Sequence, residues 1–143
     1  MFDKFVNNMN PIQYQILRYL PDRVSGEFVN LGVATYDQAS RTLRSEFVVK
    51  TERISCLFPG LDCTYLENAV GAIKKHLDEL SCPEQTANEL AHYLSIENFT
   101  QTALPVDDSS LFFSEIKCTL DVSVDTAAFD LFERFTRASF RND

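Results

Sequence analysis

Residues 14–37 read YQILRYLPDRVSGEFVNLGVATYD, and this stretch decides the fold. Residues 14–20 are typical of a β-strand that Pro21 and Asp22 end, because both residue types favour turns. The second run, residues 26–37, carries apolar side chains on both of its alternating faces. A strand that is apolar on both sides belongs in the middle of a sheet whose two faces are covered. The sequence therefore predicts a central strand beside residues 14–20.

Two further strands complete the predicted sheet. Residues 42–49 alternate apolar and polar side chains, which is typical of an antiparallel strand with one exposed face. Together with the two strands before it, this segment predicts a three-stranded meander joined by turns. Residues 111–120 are rich in β-forming side chains and follow a polar connection, so they are predicted as a fourth strand.

Helices are predicted after the meander and at the end of the chain. Apolar side chains recur with the helical period across residues 65–80, and Thr64 with Glu67 has the spacing of a capping box. A second helix is predicted over residues 81–94, so the two form a hairpin that lies on the sheet. Asp125 is predicted to cap a last helix. The predicted fold class is α+β, with a mainly antiparallel sheet of about four strands covered by a helical hairpin and a C-terminal helix.

Residues 1–11 are predicted to form a short amphipathic helix that Pro11 closes. Its apolar positions follow the spacing i, i+3, i+4 and i+7, at Phe2, Phe5, Val6 and Met9. Two interpretations stay open: the stripe packs on the protein's own core, or it docks onto another protein. The chain shows no internal repeat and no interdomain linker, so residues 1–143 are predicted to form a single domain.

Composition restricts the classes of function. The 143 residues carry 13 Lys and Arg against 21 Asp and Glu, and the formal net charge of -8 argues against nucleic acid as a partner. Four cysteines without a CxxC motif, with only two histidines beside them, argue against a zinc site, and no cofactor is predicted. No apolar run reaches the roughly 20 residues of a membrane-spanning helix, and no leader pattern opens the chain. We therefore expect a cytoplasmic protein without a membrane partner.

The densest group of polar and glycine residues lies at the turn between the first two strands. Six residues there are the candidate binding residues: Arg18, Tyr19, Asp22, Arg23, Glu27 and Asn30. A charged or amide side chain in so apolar a segment must find a partner or face solvent, since burying it unpaired is costly. Under one interpretation Arg18 pairs with Glu27 or Asp22 inside the fold, and Asn30 ties the loop backbone. Under the other, these side chains form a recognition surface for a partner.

An enzyme built on the same residues would be a metal-dependent hydrolase or a nucleotide-processing enzyme that uses Arg18, Asp22 and Glu27. Such chemistry needs a metal, a histidine or a third acid at a regular spacing, and the segment supplies none. The two histidines, His76 and His92, have no nucleophile beside them in the sequence. No catalytic residue is therefore predicted. A non-enzymatic protein-binding module is favoured over the enzyme and over a nucleic-acid-binding module.

The same stretch resembles the opening motif of the bacterial domain-of-unknown-function family 3037, in which a YSxLRYxPD segment continues into GEFVNxGV. Later segments are similar as well: LFP at residues 57–59, FSE at residues 113–115 and LFERF at residues 131–135. The resemblance implies a small stand-alone bacterial protein that is often encoded beside a HipA-like serine/threonine kinase, the toxin type of toxin–antitoxin systems. It thereby implies an accessory, regulatory or antitoxin-like partner of such a kinase, and it supplies no catalytic residue. Neither the resemblance nor the composition specifies an oligomeric state.

Overall fold

The computed structural model describes residues 9–21, 24–48, 63–81, 95–104 and 110–140, the last four of them in backbone only. Five strands lie in these segments: β1 (Asn10–Tyr19), β2 (Val29–Asp37), β3 (Thr42–Phe47), β4 (Leu111–Phe113) and β5 (Lys117–Asp121). The helices there are α1 (Cys63–Leu80), α2 (Ile96–Ala103) and α3 (Val124–Phe140). The predicted α+β class is confirmed.

The sheet is antiparallel at every pairing, in the order β3, β2, β1, with β4 and β5 both paired to the far side of β1. β2 is buried over nearly its whole length and has a hydrogen-bonded neighbour on each side. α1 and α2 pack on one face of the sheet, and α3 packs on the other. The predicted central strand, covered on both faces, is therefore confirmed.

Each face of the sheet has its own core. The larger core joins α1 and α2 to the sheet, and its buried side chains include Leu17, Leu31, Ala34, Tyr36, Leu43, Phe47, Leu66, Val70, Ile73, Leu77, Ile96 and Phe99. The buried side chains of the smaller core, under α3, are Ile12, Val33, Val124, Ala127 and Leu131. On β2, Val33 faces α3 and Ala34 faces the other helices, as side chains alternate along a strand. Burial of this apolar area is the main force that holds the helices to the sheet.

The predicted fourth strand, residues 111–120, is in fact β4 and β5, separated by an irregular segment at residues 114–116. The register of this edge against β1 shifts by one residue across the interruption. Ser114 fills the gap: its Oγ accepts a hydrogen bond from the Ile16 N–H at 2.9 Å, and its own N–H donates to the Ile16 carbonyl at 2.8 Å. A side-chain hydroxyl thus replaces a backbone acceptor where the ladder is broken.

β1 is longer than predicted, because it begins at Asn10 and not at Tyr14. The added residues pair with β5, and Pro11 lies near the start of the strand, where proline is tolerated. Because Asn10 and Pro11 belong to a strand, the predicted helix over residues 1–11 does not extend to its expected end. Residues 1–8 lie outside the described segments.

Two predicted helix starts are corrected. α1 begins at Cys63, so Thr64 lies inside the first turn and not at the cap. At the start of α3, the Ser123 Oγ accepts a hydrogen bond from the Thr126 N–H at 3.1 Å. Ser123 is therefore the capping side chain, and Asp125 lies within the first turn, where its negative charge is favourable beside the helix N-terminus.

α2 follows residues 81–94, the predicted second helix of the hairpin, which lie outside the described segments. α2 itself has no counterpart among the predicted elements. At its start the Ser95 N–H donates to the Asn98 Oδ1 at 3.0 Å, and the Ile96 N–H donates to the Gln13 Oε1 of β1 at 2.9 Å. These bonds satisfy N–H groups near the helix start, and the second fixes α2 to the sheet. No helix in the described segments is both long and apolar enough to cross a membrane.

Candidate functional site

Arg18 and Asn30 face each other across the two strands that flank the first turn. Arg18 lies near the end of β1 and Asn30 near the start of β2, and the two are direct partners in the register. A β-bulge brings them together, because β2 carries one extra residue, Leu31, between the pair Leu17 with Gly32 and the pair Arg18 with Asn30. If the register continued from Leu17 and Gly32 without the bulge, Arg18 would lie opposite Leu31, which is a core side chain.

Asn30 ties this pair to α3. Its Nδ2 donates a hydrogen bond to the Phe135 carbonyl oxygen at 3.0 Å, and its Oδ1 accepts one from the Arg18 Nε at 3.3 Å. One amide therefore links β1, β2 and α3. Because a donor and the acceptor of the amide are both used, Asn30 restricts the orientation of the Arg18 side chain.

The guanidinium of Arg18 lies over the ring of Phe28. Its Cζ is 4.6 Å from the ring centroid, within the range of a cation–π contact, and Phe28 is 48% exposed. Among the described residues, no hydrogen bond or ion pair occupies the two Nη groups of Arg18. We call Arg18, Phe28, Asn30 and the Phe135 carbonyl the Arg18 cluster. The cluster holds a cation in place and leaves most of its hydrogen-bond donors available.

The loop beside the Arg18 cluster presents apolar side chains to solvent. Val24 is 96% exposed, and Gly26 has a φ of 72°, in the left-handed region that favours glycine. Glu27 is exposed as well, and its backbone N–H donates to the Ser25 Oγ at 3.3 Å. Exposed apolar groups beside a fixed arginine form a surface of the kind on which protein contacts concentrate.

The six candidate binding residues separate into three groups. Arg18 and Asn30 are brought together, and Glu27 is exposed in the adjoining loop. Tyr19 lies on the opposite face, where it packs against the larger core. Two candidates lie outside the described segments: Asp22 and Arg23. In the described part of the chain Arg18 is bonded to Asn30 and forms no ion pair with Glu27.

Two members of the Arg18 cluster are not among the sequence candidates: Phe28 and the Phe135 carbonyl. Phe28 did carry a signal, since it is an aromatic side chain close to several charged residues. Strand alternation alone, however, does not distinguish a ring at the surface from a ring in the core. A backbone carbonyl carries no sequence signal, because every residue has one.

Glu115 is an exposed carboxylate whose pKa is lowered mainly by Lys117 and to a smaller extent by Arg18. Its Oε1 lies 2.9 Å from the Lys117 Nζ, and this hydrogen bond is the main reason why the pKa of Glu115 lies below its ordinary value. The charge of Arg18 lowers the pKa of Glu115 further by a smaller amount. Glu115 and Arg18 are therefore close enough to interact electrostatically, although no hydrogen bond joins them in the described segments.

The chemistry available in the Arg18 cluster is that of binding. Its groups are a cation, an amide, a ring and a carbonyl, which suit anions and apolar surfaces. Within the part of the chain that the structure describes, no three His, Cys, Asp or Glu side chains are grouped so that they could hold a metal ion. The Nε2 of His76 lies 3.0 Å from the Thr102 Oγ1, a hydrogen bond that links α1 to α2.

The Arg18 cluster lies within a region that matches a known protein family. Residues 14–136 match the family described as "Protein of unknown function (DUF3037)". The chain belongs to this family. The DUF3037 match includes Arg18, Phe28, Asn30 and Phe135, so it covers every member of the cluster. No curated protein and no solved structure matches the chain.

This DUF3037 chain is expected to lose stability above about pH 10, where its unfolded tyrosines ionise. Burial raises the pKa of Tyr19, with the neighbouring Tyr65 adding to the effect, and burial also raises the pKa of Tyr36. The unfolded chain, whose tyrosines have an ordinary pKa of 10.0, releases these protons first. The free energy of unfolding is therefore fully retained below that pH and falls as pH rises through the folded pKa values. Urea unfolding at a series of alkaline pH values measures the decline, and an identical decline in Tyr19→Phe would contradict the contribution of Tyr19.

Proposed function

We propose that this chain is a cytoplasmic, non-enzymatic protein-binding module, and that it acts as an accessory, regulatory or antitoxin-like partner of a HipA-like serine/threonine kinase. The Arg18 cluster and the exposed loop tip at Val24 support the binding module. The choice of partner is supported by what the resemblance to the family implies about neighbouring genes. In this proposal the contact surface is centred on Arg18 and Phe28, and Glu27 lies at its rim.

One observation carries the proposal: a half-buried arginine is held by an amide and a partly exposed ring, and no described carboxylate forms an ion pair with it. An arginine that served folding alone would be expected to pair with a nearby acid, since an unpaired buried charge is costly. Arginine and aromatic side chains at the centre of an interface often dominate its binding energy. Burial of the exposed apolar area of Phe28 and Val24 against a partner would add to this.

The two other functions differ from this one in what they require. If the chain is a metal-dependent enzyme that uses Arg18, Asp22 and Glu27, a divalent cation should raise its melting temperature. Glu27→Gln should then abolish that increase. A nucleic-acid-binding module requires an affinity that falls steeply with salt. The net charge of -8 argues against nucleic acid, and the groups of the Arg18 cluster, which include no carboxylate, suit a protein partner better than a metal ion.

Co-expression with a HipA-like kinase, the proposed partner, is expected to give a complex that co-purifies. Arg18→Glu is expected to weaken that complex at least about tenfold, because it places an anion where a fixed cation forms the centre of the contact. Phe28→Ala is expected to weaken it as well, and should fold normally because the ring is half exposed. Isothermal titration of the purified partners measures each dissociation constant.

Lys75→Glu is the matched control for this experiment. It makes the same change of charge at an exposed position of α1, on the other side of the sheet, and should alter the dissociation constant by less than about twofold. Circular dichroism and thermal melting establish that each variant is folded. Folded Arg18→Glu and Phe28→Ala variants that bind like the parent protein would exclude the Arg18 cluster as the contact surface. The absence of any complex would exclude the kinase as the partner.

A further inference from the structure

The Arg18 guanidinium is arranged to bind one more group. Its Nε donates to the Asn30 Oδ1 at 3.3 Å, and its Cζ lies 4.6 Å from the centroid of the Phe28 ring. The two Nη groups carry most of the N–H donors of a guanidinium, and they meet no acceptor in the described part of the chain. Because Arg18 is half buried, an acceptor supplied from outside would interact with it more strongly than with a fully solvated arginine.

The two acidic side chains described near Arg18, Glu27 and Glu115, do not fill this position. Glu115 is held at 2.9 Å by the Lys117 Nζ, so its carboxylate is already engaged. Glu27 is exposed in the neighbouring loop, and within the described segments no ion pair joins it to Arg18. Arg18 therefore presents a cation at the surface of a molecule that is acidic as a whole, with a net charge of -8.

We propose that the Arg18 cluster is a receptor for a single oxyanion, a carboxylate or a phosphate group, which accepts hydrogen bonds from both Nη groups of Arg18. This inference rests on the proposed function in one respect, namely that the oxyanion belongs to a protein partner, as an acidic side chain or a phosphorylated residue. A planar guanidinium donates to two oxygens of either group at once, a geometry that the point charge of a lysine does not provide.

Asn30 is the positioning residue of this receptor. Its amide engages the Nε of Arg18, and neither Nη group has an acceptor in the described part of the chain. The Phe135 carbonyl fixes Asn30 in turn, so α3 supports the arrangement from behind. A side chain that is already held in its binding conformation loses less conformational entropy when the ligand binds. The support from α3 thus explains why a polar amide is placed between two strands and a helix.

The test titrates the isotope-labelled full chain with sodium acetate and, separately, with inorganic phosphate at constant ionic strength. The Nε–Hε signal of Arg18, assigned as the one that Arg18→Lys removes, is followed by NMR and is expected to shift along a saturable curve. The Nε of Arg44 already pairs with Asp125 at 2.8 Å, so its signal serves as an internal reference that does not saturate. Tighter binding of acetate points to an acidic side chain as the natural ligand, and tighter binding of phosphate points to a phosphorylated residue.

Two variants separate a receptor from an arginine with a merely structural role. Glu115→Gln removes a negative charge close to Arg18 and should tighten the binding of either anion by about twofold to threefold. Arg18→Lys keeps the positive charge but loses the planar guanidinium that donates to two oxygens at once, so it should weaken anion binding at least about fivefold. The backbone amide signals around Asn30 measure this change. A structural role would produce neither change in affinity.

The receptor would be overturned if the Arg18 signal shifted linearly with anion concentration and sodium chloride gave the same shift. It would also be overturned if both variants left the affinities for the two anions unchanged. The outcome also distinguishes this inference from the proposed function. Saturable anion binding without a kinase complex supports the receptor and excludes the proposed partner. A kinase complex that Arg18→Glu breaks, in a chain that shows no saturable response to either anion, excludes the receptor and leaves the contact surface in place.

Discussion

Replacing Gly32 with alanine is expected to destabilise the protein by about 3 kcal/mol, because the sheet has no room for a Cβ at this position. A Cβ on Gly32 would lie 2.3 Å from the Glu46 carbonyl oxygen and 2.7 Å from the Phe47 Cα, and both are backbone atoms. It would also lie 2.3 Å from the Cδ1 of Phe47, whose ring belongs to the larger core. Relief would require the end of β3, at Phe47, to move away from β2. Urea unfolding followed by circular dichroism measures the change in free energy.

Gly71→Ala is the matched control. Gly71 is exposed within α1, and outside its own helical turn no described atom lies within 4 Å of the added methyl group. Alanine is favoured over glycine in a helix interior by about 1 kcal/mol, so this variant should be more stable than the parent protein. If Gly32→Ala were tolerated as well as Gly71→Ala, the close approach of β2 and β3 would not be a constraint on the sequence.

Gly32 also matters for the candidate site. It directly follows the bulge residue Leu31, since it pairs with Leu17 and the next pair along β1 is Arg18 with Asn30. A glycine lets β3 approach closely on one side, while the extra residue, Leu31, turns Asn30 towards Arg18 on the other. The GEFVNLGV segment therefore encodes both the close approach of β2 to β3 at Gly32 and the register of the Arg18 cluster.

The central strand could be predicted from the sequence because its signal is local. Apolar side chains on both alternating faces of β2 require cover on both sides, and the two cores supply it. The interruption of the edge strand could not be predicted, because it depends on Ser114 bonding to Ile16, a residue 98 positions away in the chain. α2 was missed although Ser95 precedes it as a cap and its apolar residues follow the helical spacing. It has only eight residues, and contacts with Gln13 and the larger core stabilise it.

The candidate site was predictable in part. The density of polar residues around the first turn placed Arg18 and Asn30 among the six candidates, and the structure joins these two by a hydrogen bond. Side chains alternate along β1, so Tyr19, the neighbour of Arg18 in the sequence, lies on the other face of the sheet against the larger core. Proximity in the sequence was therefore a poor reason to place Tyr19 on the same surface as Arg18. Phe28 and the Phe135 carbonyl complete the cluster through contacts that no spacing rule specifies, since α3 reaches the turn only after the whole chain has folded.

A buried polar network joins β1, α2 and the edge of the sheet, and Gln15 is at its centre. The Gln15 Nε2 donates to the Ser114 carbonyl at 2.8 Å, and the Gln15 Oε1 accepts from the Thr100 Oγ1 at 2.6 Å. All three residues are buried, and no buried side-chain polar atom of the described residues lacks a partner. Such a network stabilises a fold when it is complete and destabilises it when one member is removed.

Gln15→Met is expected to lower the free energy of unfolding by about 2–3 kcal/mol, because the apolar side chain leaves the buried Ser114 carbonyl without a hydrogen-bond donor. Thr100→Val should cost about 2 kcal/mol, since it leaves the Gln15 Oε1 without its donor. Thr64→Val is the matched control: it makes the same substitution at an exposed position in the first turn of α1 and should change stability by less than about 1 kcal/mol. Urea unfolding of each variant gives these values.

The double variant decides whether the network acts as a unit. Once Gln15 is methionine, the Thr100 hydroxyl retains only the long contact of 3.5 Å to the Ile96 carbonyl. The Gln15 Oε1 is already absent, so removing the Thr100 hydroxyl then takes no donor away from it. Thr100→Val should therefore cost less than about 0.5 kcal/mol in the Gln15→Met background, so the two losses are strongly non-additive. Additive losses would mean that the two side chains stabilise the protein independently. In that case packing of α2 on the larger core, and not its polar link to β1, would determine where that helix lies.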